Sequence, residues 1–258
     1  MNLIDTHAHL YLEEFGPDID GVLKRGADAG VERFYLPAID SSEHERMLAL
    51  EAAFPGKCLA MMGLHPCYVK ENVEEELALV ESWLAKRPFA AVGEIGLDFY
   101  WDRSFEAQQY DAFRRQVRLA KQYQLPIVIH SRNSTQECIE LVKEEQDGHL
   151  TGVFHCFSGS YELAKEVIKT GFYLGIGGVV TYKNAGLPAV LARLGLDNLV
   201  LETDAPYLTP VPFRGKRNES SYLTYVVDKL AGIFQVPAEE VARKTTANAR
   251  TLFKSTYP

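Results

Sequence analysis

The feature that most constrains the fold is an alternation of short apolar runs with amphipathic segments along the whole chain. Several apolar runs are nearly continuous in Val, Ile, Leu, Ala or Phe, which is typical of parallel strands covered on both faces. The predicted strands are Asn2–Asp5, Arg33–Pro37, Cys58–Gly63, Ala90–Gly93, Pro126–His130, Gly152–His155, Phe172–Gly175 and Leu199–Glu202. The predicted helices are Asp18–Ala29, Ser42–Phe54, Val73–Lys86, Phe105–Tyr123, Thr135–Glu145, Tyr161–Lys169, Ala185–Arg193, Tyr222–Phe234 and Pro237–Phe253.

Eight strand candidates, each followed by a helix candidate, predict an α/β fold of the (β/α)8 TIM-barrel type. An open doubly wound sheet is the alternative, but no Gly-rich dinucleotide fingerprint follows the first strand. Neither a linker nor a shift of composition divides the 258 residues. We therefore expect a single domain over residues 1–258.

Composition narrows the partners and the compartment. The net charge of −8 argues against broad non-specific binding of nucleic acid, although it allows a local basic patch. No apolar run is long enough to span a membrane. The four cysteines are scattered without a CxxC pair, and no signal peptide is recognisable, so a reducing cytoplasm is expected. No oligomer signature is visible, and a monomer is expected.

Two histidines follow the first predicted strand. Side chains at positions i and i+2 of a strand share a face, so His7 and His9 converge on one point. Such a pair suits a borderline transition metal such as zinc. For this pair alone, ordinary polar residues at a strand end are an equal alternative.

The other strands add more ionisable side chains at the same predicted rim, where barrel enzymes carry their catalytic groups. Five of the seven histidines lie there, and only His44 and His149 fall elsewhere. The rim residues are His7, His9, His65, Glu94, His130, His155, Glu202 and Asp204. Imidazoles and carboxylates together could hold two divalent ions with one carboxylate between them, an arrangement that activates water for a displacement reaction.

The segments around these residues resemble the TatD family of metal-dependent deoxyribonucleases, which belongs to the amidohydrolase-like superfamily. The resemblance covers essentially the whole chain in order. The segments are Asp5–Leu10 (DTHAHL), Gly63–Pro66 (GLHP), Gly93–Asp98 (GEIGLD), Ile129–Arg132 (IHSR), His155–Gly159 (HCFSG), Glu202–Pro206 (ETDAP) and Arg214–Glu219 (RGKRNE). The resemblance implies hydrolysis of phosphodiester bonds with two divalent metal ions, either Mg, Zn or Mn.

The same resemblance implies roles for individual residues. It assigns one metal to His7, His9 and Asp204, the other to His130 and His155, and the bridging position to Glu94. Asp204 would also accept the proton of the attacking water. His65 would lie near the scissile phosphate, and Glu202 would hydrogen-bond the water or serve as an extra base.

Four basic residues and one asparagine near this rim are candidate substrate contacts. Arginine offers two parallel hydrogen bonds to a phosphate. The candidates are Arg132, Arg214, Lys216, Arg217 and Asn218, of which the last four lie in one late loop. A solvated loop with surface charges is the alternative for that loop. Tyr100 and Trp101 could stack a base, or could pack over the barrel mouth.

The expected function is a 3′-5′ exonuclease that acts on single-stranded ends of DNA, with RNA as a possible substrate. Two other hydrolases remain open, an aminoacyl-tRNA deacylase and a small-molecule amidohydrolase. A non-catalytic metal-binding protein is the alternative of a different class.

Overall fold

A computed structural model describes residues 1–254; residues 255–258 of the predicted domain lie outside the described residues. The strands are β1 (Leu3–Asp5), β2 (Val31–Leu36), β3 (Cys58–Ala60), β4 (Val92–Asp98), β5 (Ile127–Arg132), β6 (Gly152–Phe154), β7 (Tyr173–Ile176) and β8 (Leu199–Leu201). The α-helices are α1 (Ile19–Asp28), α2 (His44–Ala53), α3 (Val73–Lys86), α4 (Glu106–Tyr123), α5 (Thr135–Glu145), α6 (Tyr161–Lys169), α7 (Leu187–Leu191), α8 (Leu223–Phe234) and α9 (Ala238–Leu252). No helix within residues 1–254 is both long and apolar enough to cross a membrane.

The strands close into a barrel in chain order. All pairings are parallel, within a sheet β1-β2-β3 and a sheet β4-β5-β6-β7-β8. Single parallel bridges join the two sheets on both sides, Met62 with Val92 and Ala8 with Ala205. The predicted (β/α)8 barrel is confirmed.

The barrel interior has an apolar lower layer. One cluster of buried side chains takes residues from successive strands, among them Ile4, Val128, Val153 and Val200. The end of α9 closes this layer from below, where Phe253 stacks on Tyr35 with ring centroids 4.0 Å apart. A larger buried cluster lies between the strands and the surrounding helices, so both faces of the sheet are covered as the apolar runs predicted.

The largest difference from the predicted elements is in β4. The predicted strand ended at Gly93, whereas the observed strand continues to Asp98. Gly96 explains why the strand can continue, because it has φ +139° and a Cβ there would lie 2.1 Å from the carbonyl oxygen of His130. Glycine at this point permits close pairing with β5 rather than ending the strand.

Candidate metal centre

The upper layer of the barrel interior is ionisable. His130 lies two residues after Val128, and His155 two residues after Val153, so each imidazole shares the interior face with the apolar residue below it. The two-residue period of the strands therefore places these imidazoles directly above the apolar layer. His130 is 15% exposed and His155 5% exposed at the side chain, so the centre is largely screened from bulk water.

Glu94 lies between two groups of possible ligand atoms, and each of its oxygens faces one group. The first group lies at Oε2, which is 3.1 Å from His7 Nε2 and 3.6 Å from His9 Nε2. Asp204 completes this group, because its Oδ1 is 3.6 Å from both of these nitrogens. The first group thus contains two imidazoles and two carboxylates.

The second group lies at the other oxygen of Glu94. Oε1 is 2.8 Å from His155 Nε2, 2.9 Å from His130 Nδ1 and 3.4 Å from His65 Nε2. Three imidazoles from the ends of three different strands therefore converge on one carboxylate oxygen.

The spacing of these atoms fits cation binding. His7 Nε2 is 3.3 Å from His9 Nε2, and His130 Nδ1 is 3.5 Å from His155 Nε2. Ligands about 2.0–2.1 Å from a tetrahedral zinc ion lie about 3.3 Å from one another. The donor set of imidazole and carboxylate suits zinc, manganese or iron better than magnesium, which prefers oxygen ligands. The residues present therefore fit a divalent metal.

The charges of the centre are coupled. Burial alone would raise the pKa of Glu94, but the surrounding imidazoles hold it well below its usual range. Burial likewise opposes ionisation of Asp204, yet His9, His155 and His7 lower its pKa. Both carboxylates are therefore ionised at neutral pH and available to a cation.

Hydrogen bonds behind the imidazoles determine which nitrogen faces the centre. The Tyr11 hydroxyl donates to the Pro37 carbonyl at 2.6 Å, so it can only accept from His9 Nδ1, 3.0 Å away. This leaves a lone pair on His9 Nε2, toward the centre. In the same way, the Asp98 carboxylate accepts from His130 Nε2 at 2.8 Å, which leaves the lone pair on Nδ1.

His65 differs from these ligands in its tautomer. Its Nδ1 accepts a hydrogen bond from the Cys67 N–H at 3.1 Å, so in the neutral ring the proton is on Nε2. Burial lowers the pKa of His65, which favours that neutral ring. His65 therefore points a hydrogen-bond donor into the centre, although its ring nitrogen lies close enough to Glu94 and His130 to belong to a possible ligand group. Its place beside the metals rather than among the ligands stays a prediction.

Asp98 and Tyr11 were not assigned roles by the sequence reasoning. A signal existed for Asp98, because it stands four residues after Glu94 in the same strand and so on the same side. No such signal existed for Tyr11, which lies beyond β1 in an irregular segment.

Glu202 lies behind His155 and away from the cavity. Its side chain is fully buried, and Oε1 accepts a hydrogen bond from the Cys156 N–H. Oε1 is also 3.6 Å from His155 Nδ1, on the side of the ring opposite Glu94. A Cβ at Gly175 would lie 2.2 Å from Oε2, so this glycine makes room for the carboxylate. The placement corrects the expectation that Glu202 contacts the attacking water or acts as an extra base.

The expected substrate contacts of the late loop are mostly engaged elsewhere. Asn218 is fully buried, and its amide donates to the carbonyl oxygens of Thr203 and Tyr207, both at 2.7 Å. Arg217 donates to the Asp18 carboxylate at 2.8 Å. The placement of Asn218 corrects the expectation that this side chain reaches substrate, because two carbonyl oxygens already hold its amide. The Asp18 partner of Arg217 is 41% exposed, so a substrate contact by Arg217 stays a prediction.

Arg214 and Lys216 lie on the surface of the same loop. The Arg214 guanidinium is 4.3 Å from the centroid of the Tyr182 ring, and the Lys216 ammonium is 5.6 Å from that of Phe213. Neither residue lines the cavity above the centre. A substrate contact by either one stays a prediction.

The centre forms the floor of a cavity of about 880 Å³. The lining includes candidate ligands and several side chains from the loops above them. These are His9, Ile39, His65, Tyr68, Glu94, Trp101, His130, Arg132, His155, Asp204, Tyr207 and Leu208. Arg132 is thus the predicted phosphate contact that the structure brings to the cavity.

The parallel barrel and its histidine-carboxylate centre define a class of protein, the metal-dependent hydrolases built on a TIM barrel. A family model described as TatD related DNase matches residues 4–254. The chain belongs to this TatD family.

Relatives from two bacteria support this assignment over the full length. The uncharacterized metal-dependent hydrolase YabD of Bacillus subtilis (strain 168) is 41% identical over 253 residues, which are 98% of this chain and 99% of YabD. The uncharacterized metal-dependent hydrolase YjjV of Escherichia coli (strain K12) is 37% identical over 254 residues, 97% of each chain. The crystal structure of YjjV, described as a TatD homolog, matches with a TM-score of 0.92 at 34% identity and covers 98% of both chains.

Proposed function

We propose that this hydrolase is a deoxyribonuclease that cleaves phosphodiester bonds from single-stranded 3′ ends with two divalent ions. One observation carries the proposal. The two carboxylate oxygens of Glu94 face separate groups of possible ligand atoms, on the floor of a cavity that Arg132 also lines. Within residues 1–254 no carboxylate pairs with the Arg132 guanidinium, so the cation is available to a phosphate. The family description as a DNase supports the same substrate.

The residues around the centre divide the work of hydrolysis. Divalent cations, when bound, supply Lewis-acid activation of water and of a phosphoryl oxygen. His7, His9 and Asp204 would hold one, His130 and His155 the other, with Glu94 shared between them. Asp204 is ionised and lines the cavity, so it accepts the proton that the attacking water loses.

Two further side chains contact the substrate in this account. His65 points its Nε2–H into the centre and donates to a phosphoryl or leaving oxygen. Arg132 binds the non-bridging oxygens with its guanidinium. The Arg132 contact favours an anionic, oxygen-rich group beside the metals, which a phosphodiester supplies and a neutral lactone or amide ring does not.

The alternative substrates share the metal chemistry. An aminoacyl-tRNA ester carries a phosphate near its reactive bond and so also gives Arg132 a partner, whereas a small-molecule amide does not.

We also propose that the protein is a monomer and that it acts in a reducing cytoplasm. None of the four cysteines forms a disulfide bond within residues 1–254.

A substrate panel tests the proposed function. The chain, reconstituted in turn with Zn²⁺, Mn²⁺ and Mg²⁺, is offered single-stranded DNA, RNA and a charged tRNA, each with and without a chelator. We expect shortening of DNA from its 3′ end that the chelator stops. Asp204→Ala should lower the rate at least about 100-fold, because it removes both a ligand and the proton acceptor.

Glu240→Ala is the matched control, since Glu240 is an exposed carboxylate of α9 whose partner is Arg243. It should keep the wild-type rate. Wild-type turnover by Asp204→Ala, or hydrolysis of the charged tRNA alone, would overturn the proposal.

A further inference from the structure

Exposed aromatic rings and an arginine form one wall of the cavity mouth. The Arg132 Cζ is 3.9 Å from the centroid of the Tyr100 ring and 5.2 Å from that of Trp101. Trp101 is 68% exposed and Tyr100 is 53% exposed. We call Tyr100, Trp101 and Arg132 the aromatic wall. Because the Trp101 indole is so exposed to solvent, it retains apolar surface that a bound ligand can cover.

Hydrogen bonds fix the aromatic wall relative to the candidate ligands. One oxygen of Asp98 accepts from the backbone N–H groups of Tyr100 at 2.9 Å and Trp101 at 3.0 Å. The other oxygen is the acceptor for His130 Nε2. Arg132 follows His130 by two residues in β5. The backbone that carries the Tyr100 and Trp101 rings is therefore held beside the centre.

A second apolar surface lies across the mouth. Tyr207 and Leu208 follow β8, are 52% and 37% exposed, and line the same cavity as Trp101. Because β8 lies opposite β4 in a barrel of eight strands, these residues face the aromatic wall from the far side. A ligand above the centre would therefore lie between these two surfaces. The cavity volume of about 880 Å³ lies near the upper end of the usual range for ligand sites.

The chemistry of the aromatic wall selects its ligand. Indole and guanidinium planes stack on flat rings, and a guanidinium without a carboxylate partner binds phosphate. A nucleotide with an unpaired base offers both groups at adjacent positions.

We propose that Trp101 and Arg132 form a subsite for the unpaired nucleobase next to the scissile phosphate. This inference rests on the proposed nuclease function and names the feature of the substrate that the loops recognise.

Fluorescence of Trp101 tests the subsite without a hydrolysis assay. The chain has two tryptophans, so Trp83→Phe leaves Trp101 as the only indole. The zinc-loaded protein is titrated with deoxyadenosine 5′-monophosphate and with 2-deoxyribose 5-phosphate, which lacks the base. We expect quenching by the first probe alone. Absence of quenching, or equal quenching by both probes, would overturn the proposal.

The binding of oligonucleotides provides a second test of the subsite. Trp101→Ala should weaken binding of a phosphorothioate-linked single-stranded hexamer about 5- to 150-fold, the usual range for one lost stacking contact. Trp101→Phe should restore most of the affinity, and an abasic hexamer should not distinguish the variants. Leu79→Ala is the control, because Leu79 is a 43% exposed residue of α3. Unchanged hexamer binding by Trp101→Ala would refute the subsite.

The two proposals fail in different ways. If no nucleic acid is hydrolysed but the mononucleotide quenches Trp101, the nuclease function is wrong and the subsite stands. If single-stranded DNA is hydrolysed from its 3′ end but Trp101→Ala does not change hexamer binding, the nuclease function stands and the subsite is wrong.

Discussion

His130 shows how the role of one side chain depends on the residues behind it. An imidazole offers a lone pair on only one nitrogen when neutral, and the partner of the other nitrogen decides which one. Asp98 can only accept, so it directs the lone pair of His130 toward Glu94. Cys67 does the opposite for His65, whose N–H then faces the centre. Two histidines with ring nitrogens 3.2 Å apart thus take different roles.

Asp98→Asn tests this control of the tautomer. The new amide would present either a donor to His130 Nε2 or a weaker neutral acceptor, so the lone pair on Nδ1 is no longer secured. We expect metal affinity to fall about 10- to 100-fold, the usual effect of losing such an outer partner. Competition with a chromophoric chelator measures this. The control is Asp102→Asn, at an exposed carboxylate in the loop after β4, which should bind metal as the wild type does. If Asp98→Asn bound metal as tightly as Asp102→Asn, Asp98 would not control the tautomer of His130.

The loop after β8 shows how a whole element supports the centre. Asp204 adopts φ +56°, a left-handed conformation that is uncommon for residues other than glycine. Asn218 holds the chain on both sides of it through the carbonyls of Thr203 and Tyr207. The loop is therefore held from inside, while Arg214 remains on its surface.

Removing the Asn218 amide should lower the free energy of unfolding and leave the affinity for substrate unchanged. Asn218→Ala leaves the buried carbonyl oxygen of Thr203 and the partly buried one of Tyr207 without their donor, so we expect a loss of about 1–3 kcal/mol in the free energy of unfolding. Arg214→Ala, on the surface of the same loop, should change it by less than about 0.5 kcal/mol. Denaturant unfolding measures both. If Asn218→Ala left the stability unchanged but weakened DNA binding, the sequence-based expectation that Asn218 contacts the substrate would be correct after all.

Elements and ligands were predictable to different degrees, for physical reasons. The strand period and the rim of a barrel place His7, His130 and His155 without knowledge of any loop, since residues two apart share a face. The direction of Asn218 or Arg217 depends instead on irregular backbone and on partners distant in sequence. A cluster such as Arg214–Arg217 has the same composition whether it faces a phosphate or, as Arg217 does, a carboxylate of the same chain.

At the scale of the molecule, the barrel interior is divided along its axis. Apolar side chains such as Val128 and Val153 fill the lower layer, and the imidazoles two residues later form the upper one. The lower layer supplies hydrophobic stabilisation, while the upper layer gathers charges that are costly to bury without a cation. Cations that bind only the folded chain therefore stabilise it.

Calorimetric titration of the metal-free chain with Zn²⁺ tests the central claim most directly, namely that Glu94 joins two groups of ligands into one centre. The account predicts uptake of about two zinc ions by the wild type and by Glu240→Gln, and loss of at least one ion in Glu94→Gln, whose amide lacks the charge that both groups face. Zinc uptake by Glu94→Gln with the wild-type stoichiometry and affinity, or no uptake by the wild type, would contradict it.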